Sequence, residues 1–169
     1  MTTTTDGVQP GIVTPELTLT TTTTGAQVDT LLGKVIQVAN GDTITVLDET
    51  NTQHKIRLIG IDAPEKRQAF ANASKQSLAE QVAGQSVAVE WIKVDRYERK
   101  LGKVLLAGVD CNLVQIKRGL AWHYKQYQWE QSQTDQQSYA ADEIGARGVK
   151  LGIWRDADPM APWDFRRKA

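Results

Sequence analysis

Apolar and polar positions alternate along three neighbouring stretches, residues 33–39, 43–47 and 54–61, each rich in β-branched side chains. Alternation of this kind marks half-buried strands. Their links are short and built from turn formers, Asn40-Gly41-Asp42 and Glu49-Thr50-Asn51-Thr52, so the three form an antiparallel meander. A fourth strand is expected over residues 86–94, with Val87, Val89 and Trp91 on one face, and a fifth over 103–107 after a turn at 97–102. Helices are expected over residues 70–82, stopped by Gly84, and from Asn112, capped with Gln115 three residues on and stopped by Gly119. Thr134 and Gln137 repeat the capping pattern for a third helix reaching about Arg147. The tail, with Trp154, Pro159, Pro162 and Trp163, is expected to pack as irregular chain, anchored by Trp163. The pattern implies an α+β, mainly β domain: a small closed five-stranded barrel with three helices against it.

Composition sets the boundary. Residues 1–30 contain twelve Thr, five of them consecutive, and little that could join a core. They are expected to be a disordered Thr-rich leader, with one domain over residues 31–169. The leader lacks the basic start and apolar run of a secretory signal. No apolar window is long enough to cross a membrane as a helix. The leader carries three acids and no Lys or Arg, so the rest has 20 basic against 17 acidic side chains. That mild excess permits a polyanionic partner without demanding one. The one cysteine, Cys111, cannot form an internal disulfide and reads as a small core residue.

Candidate chemistry centres on Arg57-Leu58-Ile59-Gly60-Ile61-Asp62-Ala63-Pro64-Glu65. With a turn near Asn51, residue 42 should lie opposite residue 59 or 60, bringing Asp42 and Asp62 to one rim. Two adjacent carboxylates repel, and a hard divalent cation such as Ca²⁺ or Mg²⁺ is the economical remedy. Strict alternation places Arg57 on the face opposite Asp62. A bend is needed to unite them, and Gly60 is the candidate.

Taken together, several pieces resemble the staphylococcal nuclease (thermonuclease) family over about four-fifths of the chain. They are Asn40-Gly41-Asp42-Thr43, Ile56-Arg57-Leu58, Asp62-Ala63-Pro64-Glu65, Asp95-Arg96-Tyr97-Glu98-Arg99, Asn112-Leu113, Gly119-Leu120-Ala121-Trp122 and Gly152-Ile153-Trp154. The resemblance implies an oligonucleotide/oligosaccharide-binding (OB) barrel and a Ca²⁺-dependent phosphodiesterase acting on DNA and RNA with low sequence specificity. Single strands are the expected preference. It assigns Asp42, Asp62 and the Ala63 carbonyl to the metal, Glu65 to the attacking water, Arg57 and Arg99 to the scissile phosphate, and Tyr97 to the nucleotide. A monomer without obligate protein partner is expected, in a secreted or periplasmic setting. The alternative is a non-catalytic nucleic-acid-binding module on the same barrel.

Three features depart from the family pattern. Asn40 replaces an aspartate, Ala63 a threonine and Glu98 a glycine. If position 98 needs a positive φ, Glu98 is strained and the aim of Arg99 changes. Other residues carry blander readings. Tyr124 and Tyr127 either stack on bases or close a helix-to-loop cluster. His54 reads as an exposed strand residue, and His123 as packing or nucleotide contact before it reads as a base. Arg166, Arg167 and Lys168 read as a solvated tail.

Overall fold

A computed structural model of the chain describes residues 28–168. β1 (Asp29–Asn40), β2 (Thr43–Leu47) and β3 (Gln53–Leu58) form the antiparallel meander. β5 (Ser86–Val94) pairs with β1, and β6 (Lys100–Leu106) pairs with β5. A parallel contact of β3 with β6, Ile56–Leu58 against Lys100–Gly102, closes these five strands into a barrel. Two-residue strands β4 (Ile61–Asp62) and β8 (Trp122–His123) pair with each other outside it, and β7 (Val109–Asp110) extends β6. The expected boundary at residue 30 falls inside β1, while the remaining leader, residues 1–27, lies outside the described residues.

Inward positions of the strands fill the barrel with Val35, Ile44, Val46, Ile56, Leu58, Val87, Val89 and Val104, all nearly inaccessible. Leu78 and Val82 of α1 (Ala71–Val82) and Ile116 of α2 (Cys111–Lys117) extend that core. Cys111 joins it, its thiol pushed up to about 11 by burial.

Several expectations shift. The β2–β3 turn spans Asp48–Thr52, tied by three bonds to Asp48 Oδ1, so Thr43 faces Arg57 and residue 42 falls beside residue 58. His54 is partly buried and pairs with Asp48 at 2.8 Å. The cap of α2 is Asp110, whose carboxylate accepts from Leu113 N–H; Asn112 is buried inside the helix's first turn. α3 (Gln133–Gly148) starts from Ser132, whose hydroxyl accepts from Asp135 N–H, two residues before the expected Thr134. The tail is not irregular throughout. It contains a 3₁₀ turn, Gly152–Arg155, and a fourth helix, α4 (Pro162–Lys168). Proline opening a helix and cations in its last turn are the ordinary logic of such an element.

A second apolar cluster seats that tail. Trp122, Ala146, Ile153, Trp154 and Ala161 are buried together, with Phe70 and Trp163 packed against them. Trp163 anchors as expected, edge-on to Trp122 at 5.3 Å and stacked on Tyr124 at 5.3 Å with an 11° tilt.

Candidate active site

The site forms where β3 ends. Gly60, at φ +80°, turns the chain sharply between β3 and β4, so face alternation does not carry from Arg57 to Asp62. This is the bend that unites them. Arg57 Nη1 donates to the carbonyls of Leu58 (2.8 Å) and Ile61 (2.9 Å), spanning the turn. Its Nη2 lies 3.3 Å from Asp62 Oδ1 and 3.4 Å from Asp42 Oδ2. Asp42 and Asp62 are therefore brought together, as expected, around a guanidinium already in place.

The Asp42 turn is held from several sides. Asn40 Oδ1 accepts from Asp42 N–H, Asp42 Oδ1 accepts from the Thr43 hydroxyl, and Asp42 Oδ2 accepts from Ala63 N–H at 2.8 Å. The residue at 40 thus serves as a turn acceptor. Gly41 is required by close approach: a Cβ there would meet Ser74 Oγ at 1.8 Å and Ala63 Cβ at 2.9 Å. From α2, Gln115 donates to the Gly41 and Ser74 carbonyls, both at 2.9 Å. Asn112 donates to the Ile59 and Gly102 carbonyls and accepts from Val104 N–H. These two amides pin the loops on which Asp42 and Asp62 ride. Asn112 lies in the Asn112-Leu113 motif, but in sequence Asn112 and Gln115 have the spacing of a capping pair, which hides this role.

Asp62 has a side chain 2 % exposed. Burial pushes its carboxyl above the usual range, against the Arg166 hydrogen bonds and the Arg57 charge, which favour the anion. Arg166 is the residue that sequence reasoning missed. From α4 its Nη1 and Nη2 reach Asp62 Oδ1 and Oδ2 at 3.0 and 2.8 Å, and Nη1 also reaches Glu65 Oε1 at 2.7 Å. It is not a solvated tail residue. Arg167 is: its side chain is 72 % exposed, with only a 3.9 Å approach to Asp164.

Arg99 lines the same cleft of about 1180 Å³ as Asp42, Arg57, Asp62, Ala63 and Glu65. It does not contact the carboxylates of that group. Asp95 takes its Nε and Nη2 edge, each at 2.9 Å. Burial opposes the charge on Asp95, but bonds from the Arg99 and Tyr97 amides and the Arg99 side chain outweigh it, holding the carboxyl below its usual range. Glu98 adopts φ +63°, so position 98 does need the left-handed conformation.

Tyr97, Tyr124 and Tyr127 line the cleft. Tyr97 is well exposed, with the Arg96 and Arg99 guanidinium groups over its ring at 4.8 and 5.3 Å. Tyr124 packs edge-on to Tyr127 and its hydroxyl lies 3.3 Å from Arg166 Nη2. His123 faces away from this chemistry. It is fully buried, bonds Gln131 through Nε2 at 3.0 Å, and its pKa is lowered by burial, leaving a neutral core residue.

Among the described residues, no group of three or more His, Cys, Asp or Glu side chains forms a metal cluster. The donors present still suit a hard cation. Two carboxylates from separate loops converge, one is deeply buried, and both already attract positive groups. Carbonyl and water oxygens would have to complete such a shell.

Residues 55–156 match the model of the family described as staphylococcal nuclease homologue. The chain belongs to that family. The nuclease relatives include an uncharacterized endonuclease of Escherichia coli O157:H7, 39 % identical over 137 residues, covering 80 % of this chain and 85 % of its own. A micrococcal nuclease of Shigella flexneri is 38 % identical over 144 residues, 80 % of each chain. A probable staphylococcal-like nuclease, CAN1, of Oryza sativa subsp. japonica is 35 % identical over 116 residues, 68 % of this chain and 33 % of that protein.

Proposed function

We propose that this nuclease-family chain is a Ca²⁺-dependent endonuclease that hydrolyses phosphodiester bonds of DNA and RNA with little sequence preference. The observation that carries the reading is the convergence of Asp42, Asp62 and Glu65 with Arg57 in one cleft that Arg99 also lines. A bound Ca²⁺, held by Asp42, Asp62 and the Ala63 carbonyl, would polarise the phosphate and lower the pKa of its water.

The chain's own groups do the rest. Arg57 is fixed by two carbonyls, so its remaining donors need no reorganisation as charge accumulates on the phosphate oxygens. Arg99, clamped along one edge by Asp95, presents its Nη1 edge to the phosphate. Glu65 orients the attacking water and takes its proton. Tyr97 offers an exposed ring face to an unstacked base, with the packed Tyr124–Tyr127 pair lining the cleft for further contact, which favours single strands. Recognition directed at phosphate carries no sequence information. The carboxylate set and the fixed arginine are what a purely binding barrel would not need.

The test is digestion of plasmid DNA and of single-stranded DNA and RNA oligonucleotides with Ca²⁺, then with excess chelator. Cleavage lost on chelation, and lost again in Glu65→Gln with Ca²⁺ present, supports the reading. Retention of oligonucleotide binding with no cleavage under any metal condition would replace it with the binding-module reading.

A further inference from the structure

Arg166 has no task in that mechanism, yet it lies closer to Asp62 than Arg57 does. Its two terminal nitrogens cover both oxygens of Asp62, and one of them also holds Glu65. Asp62 is otherwise enclosed, its side chain 2 % exposed, and the guanidinium lies over both of its oxygens. The placement is built rather than incidental. Pro162 is buried, Trp163 stacks on Tyr124, and the Gln68 amide holds the Met160 carbonyl at 2.6 Å. Arg166 follows Trp163 by three residues in α4, which puts both on one helix face.

We propose that Arg166 is the internal counter-ion of the metal site: in the metal-free protein α4 plugs Asp62 and Glu65, and Ca²⁺ binds by displacing the guanidinium. The inference rests on the calcium reading above. Its logic is charge balance. Buried carboxylates held together without a cation repel each other, and Arg57 neutralises only the side it faces. Arg166 neutralises the other. A cation and a guanidinium cannot occupy the same oxygens, so docking of α4 and metal loading oppose each other. Apparent metal affinity falls by the fraction of molecules in which the plug is open. The plugged form also ties up the carboxylate assigned to the water, so one displacement frees both.

Equilibrium dialysis of Ca²⁺ against the full chain, without nucleic acid, tests this in wild type, Arg166→Gln and Arg167→Gln. Arg167→Gln makes the same charge change on the same helix without touching the carboxylates. Arg166→Gln should bind Ca²⁺ about tenfold more tightly. Arg167→Gln should stay within about twofold of wild type, as expected for an exposed charge. Metal-free Arg166→Gln should also melt below wild type, and saturating Ca²⁺ should close the gap. Equal or weaker Ca²⁺ binding by Arg166→Gln overturns the plug but leaves the calcium reading standing. Absence of Ca²⁺ binding in all three proteins overturns both.

Discussion

The Arg57 side chain is only 13 % exposed and answers to four oxygens, two carbonyl and two carboxylate. Its loss should therefore be felt twice. Arg57→Ala should slow cleavage by about a hundredfold or more, the typical effect of deleting a preorganised donor. It should also cost the metal-free protein about 3 kcal/mol, because a buried charge loses its partner. Rate measurements and urea unfolding with and without Ca²⁺ separate the two, and the stability loss should shrink when Ca²⁺ is present. His123 makes a different prediction. Its folded pKa lies below the ordinary 6.5 because burial, the first cause, disfavours the cation, as does nearby Lys125, against Gln131 and Glu143. The unfolded chain then binds more protons, so this contribution is full above pH 6.5 and is lost as pH falls through the folded value. Urea midpoints between pH 7.5 and 5 should fall less steeply in His123→Gln than in wild type. At this scale the sequence made Asp42 and Asp62 legible as partners, because one hairpin joins them. Arg166 was illegible, since 104 positions separate it from Asp62 and a terminal Arg-Arg-Lys run looks solvated.

Elements succeed or fail by their local chemistry. β5 was readable to the residue, because β-branched alternation and a glycine-containing turn before it leave no competing pattern. α2 and α3 were misplaced at their starts, because Asp110 and Ser132 compete with Asn112 and Thr134 for the cap. Gln115 shows what such a misreading hides. Gln115→Leu keeps the volume but strands the Gly41 and Ser74 carbonyls, and should cost about 2–4 kcal/mol with a matching loss of Ca²⁺ affinity. Chemical denaturation and metal titration on the same preparation would show both. The β5–β6 turn offers a backbone test. A β-branched residue at φ +63° is more strained than glutamate, so Glu98→Val should destabilise by about 1–2 kcal/mol, whereas glycine there should not. Loss of cleavage should follow Val rather than Gly if this turn aims Arg99.

At the scale of the molecule, two apolar clusters among the described residues divide the work. The barrel core holds the strands, and the Trp122 cluster ties the tail to the rim of the cleft. The barrel was predictable because period-2 patterning and short turns leave few topologies. The fourth helix was not, because seven residues opened by a proline carry little periodicity of their own, and tertiary contacts with Trp122 and Tyr124 hold it. Trp163→Ala should therefore leave the barrel's far-UV signal intact while weakening the near-UV signal and exposing residues 160–168 to limited proteolysis.

The closure of the barrel is its shortest seam: three residues of β3 meet three of β6. The same stretch carries Arg57 and begins at Lys100, the residue after Arg99. Thermal breathing of the cylinder is thus also a relative movement of the two guanidinium groups assigned to the phosphate. Amide deuterium uptake at Ile59, whose N–H bonds the Gly102 carbonyl across that junction, should outpace uptake at the β1–β5 interface. A nucleotide gripped by both arginines would act as a clasp, slowing exchange there more than anywhere else in the sheet.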